Sequence, residues 1–168
     1  MQSDPLFIAF QLAILVFSIV IHEVAHGFAA HSLGDPTAKL QGRLTLNPIK
    51  HIDPIGSIMI PAFLVLSGSS ILFGWAKPVP YNPYNLRNQR WGEAIVAAAG
   101  GLTNIFLAVV FGLVARFGFG TLPDEFVAIA AMTAFVNLFL GLFNLIPIPP
   151  LDGSKLLYAF LDPRISYR

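Results

Sequence analysis

The chain has 168 residues, of which 55% are hydrophobic and 11% charged, with a formal net charge of +1 and a mean hydropathy of +0.70. A soluble domain carries about 25% charged residues, so too little polar surface remains to cover a water-soluble core, and the small net charge argues against a nucleic-acid partner. There is no cysteine, which excludes disulfides and thiolate ligands and leaves nitrogen and oxygen donors for any metal.

The length suits one domain, residues 1–168. Its first predicted element is an apolar helix over about residues 6–33. At about 1.5 Å per residue it is long enough to cross a hydrocarbon core of about 30 Å. No basic region precedes it, so it is expected to be retained rather than cleaved as a signal. Its second half carries His22-Glu23-Val24-Ala25-His26. Two histidines and a glutamate are costly in such surroundings and point to function. In a helix, His22 and His26 are four apart and share a face. That spacing offers two imidazoles to one metal ion, with Glu23 beside the water that completes its coordination.

The second apolar stretch, residues 55–75, is interrupted by Gly56, Pro61, Gly68 and Gly74. Residues 94–115 and 126–146 form the third and fourth. Basic residues follow the first stretch (Lys39, Arg43, Lys50), the second (Lys77, Arg87, Arg90) and the fourth (Lys155, Arg164, Arg168). Positive residues favour the cytoplasmic side. All three groups reach that side if stretches one, three and four cross and stretch two dips in and returns; an ordinary kinked span is the alternative. The expected architecture is therefore an all-α polytopic membrane protein with three spanning helices and a re-entrant or kinked fourth apolar segment. Short membrane-surface strands are expected at 38–46 and 77–81. In this topology His22 and His26 lie in the cytoplasmic half of the first span.

The fourth stretch runs into Asn144-Leu-Ile-Pro147-Ile-Pro149-Pro150-Leu151-Asp152-Gly153. The prolines end the helix and present Asp152 from an irregular turn at the depth of the histidines. Asp152 is a candidate third metal ligand, two histidines and a carboxylate leaving a fourth position for water. The competing reading makes it the N-cap of a helix over 155–161. His31 turns off the His22/His26 face. His51 and Asp53 are expected to cap or brace a turn, and Asp35, before a proline, reads as a turn residue. The run Ala97-Ala98-Ala99-Gly100-Gly101 offers a small-residue face for close helix packing.

These residues together resemble the site-2 protease family of intramembrane zinc metalloproteases, in its compact bacterial and archaeal branch without PDZ or CBS domains. His22 to His26 matches the family's HExxH. Asn144 to Gly153 matches its second signature, an asparagine followed eight residues on by an Asp-Gly pair. Gly100-Gly101-Leu-Thr-Asn104 is similar to its Gly-x-x-x-Asn element, with Gly101 where many members have proline. The resemblance implies one zinc ion held by His22, His26 and Asp152, Glu23 as catalytic residue, and Asn144 near the water or the scissile carbonyl. It implies cleavage in or near transmembrane segments of membrane-protein substrates, by an enzyme embedded in the cell membrane with its site towards the cytoplasm. Many members continue with further spans beyond the point matching Arg168, so the sequence reads as a shortened chain or a minimal member.

Two other functions fit parts of the pattern. A catalytically inactive, membrane-protein-binding relative would not need the intact His, Glu and Asp positions. A zinc transporter would need further ligands at similar depth, and the third and fourth stretches offer Asn104 and Asn137 but no His, Asp or Glu.

Overall fold

The computed structural model describes residues 5–68 and 75–161; Gly74, Arg164 and Arg168 lie outside them. The regular secondary structure among the described residues is all helical. Helix α1 spans Pro5–Ser32, the short α2 spans Thr37–Leu40, α3 spans Ile60–Leu66, α4 spans Gln89–Gly118, α5 spans Asp124–Asn144 and α6 spans Asp152–Phe160. Within α1, α4 and α5, the segments Ala9–Ser32, Trp91–Gly118 and Asp124–Asn144 are long and apolar enough to cross a membrane. They leave large apolar side chains such as Leu102, Phe106, Val109, Phe135 and Phe139 exposed.

Helix α1 stops where glycine permits it. Gly34 has φ +111°. The Asp35 N–H reaches the Ala30 carbonyl at 3.0 Å and the Gly34 N–H reaches that of His31 at 3.1 Å, the paired bonds of a Schellman ending. Helix α4 is started by Asn88, whose side chain accepts from the Trp91 N–H at 3.0 Å. Asp124 and Glu125 open α5, where the helix dipole favours negative charge.

Helix α4 is central and packs against α1, α5 and α6. Its small residues serve two neighbours. Gly101 faces α5, where a Cβ on Gly141 would come within 3.1 Å of the Gly101 carbonyl, while Gly100 faces the imidazoles of α1. Close helix approach through small residues compensates for the lack of a hydrophobic driving force in lipid.

The connections are tied together at one end of the helices. The Arg87 N–H donates to the Leu33 carbonyl at 3.0 Å, linking the end of α1 to the approach to α4. Asp35 is fully buried and is more than a turn residue. Its carboxylate accepts from Thr37 Oγ1 (2.6 Å), the Thr37 N–H (3.2 Å), the Asn82 N–H (2.8 Å) and Asn85 Nδ2 (2.7 Å). Asp53 caps the turn Pro54–Met59, accepting from the N–H groups of Ile55 and Gly56. The second apolar stretch also begins and ends in contact: the Trp75 N–H donates to the Gly56 carbonyl at 3.2 Å, Ser57 Oγ donates to the Trp75 carbonyl at 2.8 Å, and the Trp75 ring lies where a Cβ on Gly56 would be.

The expected surface strands do not form among the described residues. Over 38–46 the chain opens with the helical turn α2 and bends at Gly42, φ +61°. Over 77–81 it forms no regular secondary structure. Pro78 and Pro80 have no N–H to offer. Two of the other donors are engaged elsewhere: the Lys77 N–H with the His51 carbonyl (2.8 Å) and the Val79 N–H with Glu23 Oε2 (2.8 Å). Arg43 Nη2 holds this segment by donating to the carbonyls of Lys77 (2.9 Å) and Pro78 (3.3 Å).

Candidate metal centre

The helical spacing of His22 and His26 puts both rings on the face of α1 that meets α4. Their room comes from Gly100, where a Cβ would stand 2.6 Å from the Cε1 of each ring. The buried residues Ser18, His22 and His26 follow one another at four-residue intervals along this face. Asp152 arrives from a different element. The chain leaves α5 at Asn144, passes the prolines and starts α6 with Asp152 as its first helical residue. A Cβ on Gly153 would collide with the carbonyls of Leu145 and Ile146, so the Asp-Gly pair lets α6 seat directly on the end of α5. The N-cap position belongs to Leu151, and the Asp152 carboxylate is turned onto the imidazoles instead.

The three side chains form a nearly equilateral triangle. Asp152 Oδ2 lies 3.1 Å from His22 Nε2 and 3.1 Å from His26 Nε2, and the two Nε2 atoms are 3.0 Å apart. A tetrahedral zinc ion with bonds of about 2.0–2.1 Å separates its ligand atoms by about 3.3 Å, so the triangle matches one face of such a site. Both histidines are buried.

Hydrogen bonding decides which atoms face one another. His26 Nδ1 lies 2.7 Å from the Val96 carbonyl, which only accepts, so Nδ1 carries the proton and Nε2 presents a lone pair. His22 Nδ1 lies 2.6 Å from Asn104 Oδ1, giving the same tautomer. Two imidazole lone pairs and a carboxylate oxygen therefore converge with no donor among them. Such a set repels itself until it takes up a proton or a cation, which is the donor chemistry a metal site requires.

Glu23 stands outside the triangle, with Oε2 bound to the Val79 N–H. Asn144 is not brought to the three: its Nδ2 donates to the Leu140 carbonyl one turn back at 3.0 Å. His31 and Asp53 are also elsewhere. His51 is buried and braces a turn, its Nε2 2.9 Å from the Thr45 carbonyl. Gly100, Asn104 and Asn137 matter more than metal-ligand chemistry suggested. The available signal was a buried amide in an apolar span, which must find partners there.

Comparison with known proteins agrees with this geometry. The profile of Peptidase family M50 matches residues 119–166, the part that carries Asp152. Two similar proteins bear the name "Putative zinc metalloprotease": YwhC of Bacillus subtilis is 39% identical over 161 residues, and Rip2 of Mycolicibacterium smegmatis is 30% identical over 151. Each alignment covers 90% of this chain, with 68% of YwhC and 55% of Rip2. "Zinc metalloprotease MJ0392" of Methanocaldococcus jannaschii is 25% identical over 166 residues, 99% of this chain and 38% of that protein. No solved structure matches. With 39% identity to YwhC over 90% of this chain, and the family profile over its C-terminal part, the chain belongs to peptidase family M50, the site-2 protease family of zinc metalloproteases.

Proposed function

We propose that the chain is an intramembrane zinc endopeptidase that hydrolyses peptide bonds in or near transmembrane segments of membrane proteins. One zinc ion is held by His22, His26 and Asp152, and Glu23 is the general base. The observation that carries this reading is the triangle of lone-pair donors, 3.0–3.1 Å on each side, built on a helix long and apolar enough to cross a membrane. Bound there, zinc supplies the Lewis acidity that polarises a peptide carbonyl and makes water nucleophilic near neutral pH.

The chain's own residues do the rest. Glu23 is adjacent to His22 in sequence and takes the proton from the attacking water, then delivers it to the leaving amine. The hydrogen bond from Val79 orients its carboxylate. Asn144 stands near the Asp152 segment, and exchanging its bond to Leu140 for one to substrate would let it hold a peptide carbonyl. A substrate helix hides its carbonyls in internal hydrogen bonds and must unwind first.

Contacts between the connections support a membrane arrangement. The Leu33–Arg87 and Gly56–Trp75 hydrogen bonds support a second apolar segment that returns to the side it leaves. Lys39, Arg43, Lys50, Lys77, Arg87 and Lys155 all belong to that end of the molecule, which supports a cytoplasmic site in the cell membrane.

The test is cleavage of a co-expressed transmembrane reporter by the purified or membrane-embedded protein and by Glu23→Gln. The variant is expected to retain zinc and lose cleavage. Cleavage at the wild-type rate by Glu23→Gln would overturn the assignment.

A further inference from the structure

The buried polar groups beyond His22 form a chain that ends on a backbone carbonyl of α5. Asn137 Nδ2 lies 2.9 Å from the Thr133 carbonyl and 2.9 Å from Ser18 Oγ. Asn137 Oδ1 accepts from Asn104 Nδ2 at 2.7 Å, and that nitrogen also points towards the Ser18 carbonyl at 3.4 Å. Asn104 Oδ1 faces His22 Nδ1 at 2.6 Å. Asn104 and Asn137 are at most 1% exposed, and Ser18 is 3% exposed.

The direction of every bond follows from the last group. A carbonyl only accepts, so the Asn137 atom facing Thr133 is its amide nitrogen. Its oxygen must then face Asn104, which answers with its own nitrogen. The Asn104 oxygen is left for His22, and an oxygen there requires a proton on Nδ1. His22 Nε2 is thereby held as a lone pair aimed at Asp152. If Asn104 were free to flip, it could present its nitrogen to His22 and stabilise the opposite tautomer, with Nε2 protonated and closed to a cation.

We propose that Asn137, acting through Asn104, is a positioning residue that fixes His22 in the metal-binding tautomer. The inference rests on the proposed metal site and deepens it: α5 contributes no ligand but sets the donor state of one on α1. Outer-shell partners of metal-bound histidines act in this way, and losing one costs about 10–100-fold in metal affinity.

Two substitutions separate polarity from packing. Asn137→Asp keeps the shape and an oxygen facing Asn104; in its protonated form it can still donate to Thr133. Asn137→Leu fills similar volume but removes the 2.7 Å acceptor of Asn104 Nδ2, leaving it only the longer 3.4 Å contact with the Ser18 carbonyl. The tautomer of His22 is read from the ¹⁵N shifts of histidine-labelled, metal-free protein in micelles, at a pH well above the ordinary imidazole value of about 6.5 so that the ring is neutral, with the four histidines assigned. Zinc affinity is read by competition with a chelator. Asn137→Asp is expected to keep Nδ1–H on His22 and affinity within about threefold of wild type. Asn137→Leu is expected to populate Nε2–H and to lose about 10–100-fold in affinity.

The reverse order, with Leu tolerated and Asp not, would mean that Asn137 only fills space and would overturn the proposal. Should the Leu variant fail to fold, an Nε2–H tautomer in Asn137→Asp or in wild type overturns it equally. Because the tautomer is read without metal, a wild-type protein that fails to bind zinc but keeps Nδ1–H would count against the proposed function and not against this relay.

Discussion

Glu23 Oε2 accepts a 2.8 Å hydrogen bond from the backbone N–H of Val79. The contact joins the proposed general base to a segment that Arg43 also holds, through the carbonyls of Lys77 and Pro78. The Val79 side chain is buried and stands close to Gly27, one residue past the HExxH motif. The carboxylate is therefore oriented by a segment more than fifty residues away in sequence.

Removing that donor should loosen the base without touching the metal. Val79→Pro deletes the N–H in a segment that already accommodates Pro78 and Pro80. We expect kcat to fall by about tenfold, a part of the roughly 10²–10⁴-fold that general-base catalysis supplies, with KM and zinc content nearly unchanged. Steady-state kinetics on a peptide substrate, paired with metal analysis, checks this. An unaltered kcat would make the contact incidental.

Gly100 and Gly101 are neighbours with different neighbourhoods. A Cβ on Gly100 would press on both imidazoles at 2.6 Å, whereas one on Gly101 would meet the Gly141 carbonyl at an ordinary 3.6 Å. Gly100→Ala should displace the rings at a cost of about 1–3 kcal/mol, seen as weaker zinc binding. Gly101→Ala should bind zinc normally. Equal affinities in chelator competition would show that the rings have more freedom than the packing implies.

The contrast between those glycines shows where sequence reasoning succeeded and stopped. The phase of His22 and His26 is a property of one helix, so their common face was legible from spacing alone. The proline run before Asp152 likewise announced a turn. Asn137 is different, because the importance of a buried amide depends on what a second helix brings to it. The strands expected at 38–46 and 77–81 failed for a related reason. At 77–81 the N–H groups of Lys77 and Val79 are taken by the His51 carbonyl and by Glu23, contacts set by tertiary packing. Asp35 was read as a turn residue because Asp-Pro favours turns, while its four hydrogen bonds come partly from residues 82 and 85.

Asp35 gives the account a pH signature outside the membrane spans. Burial alone would raise its carboxyl; the bonds from Thr37, Asn85 and Asn82 outweigh it and hold the carboxyl below its ordinary value. A depressed folded-state value adds stability that is complete above the unfolded value of about 3.9 and is lost as pH falls through the folded one. Asp35→Asn places an amide nitrogen among donors and should cost about 1–3 kcal/mol at neutral pH. The gap from wild type should narrow below about pH 4. Thermal melting in micelles across pH tests this, and a gap that widens on acidification would contradict it.

The central claim is that one metal site is assembled from α1 and the start of α6, and zinc stoichiometry tests it most directly. Purified wild-type protein should bind about one zinc per chain, and Asp152→Ala should lose more affinity than the about 10–100-fold typical of an outer-shell change. Stoichiometric zinc held with wild-type affinity by Asp152→Ala would contradict the account.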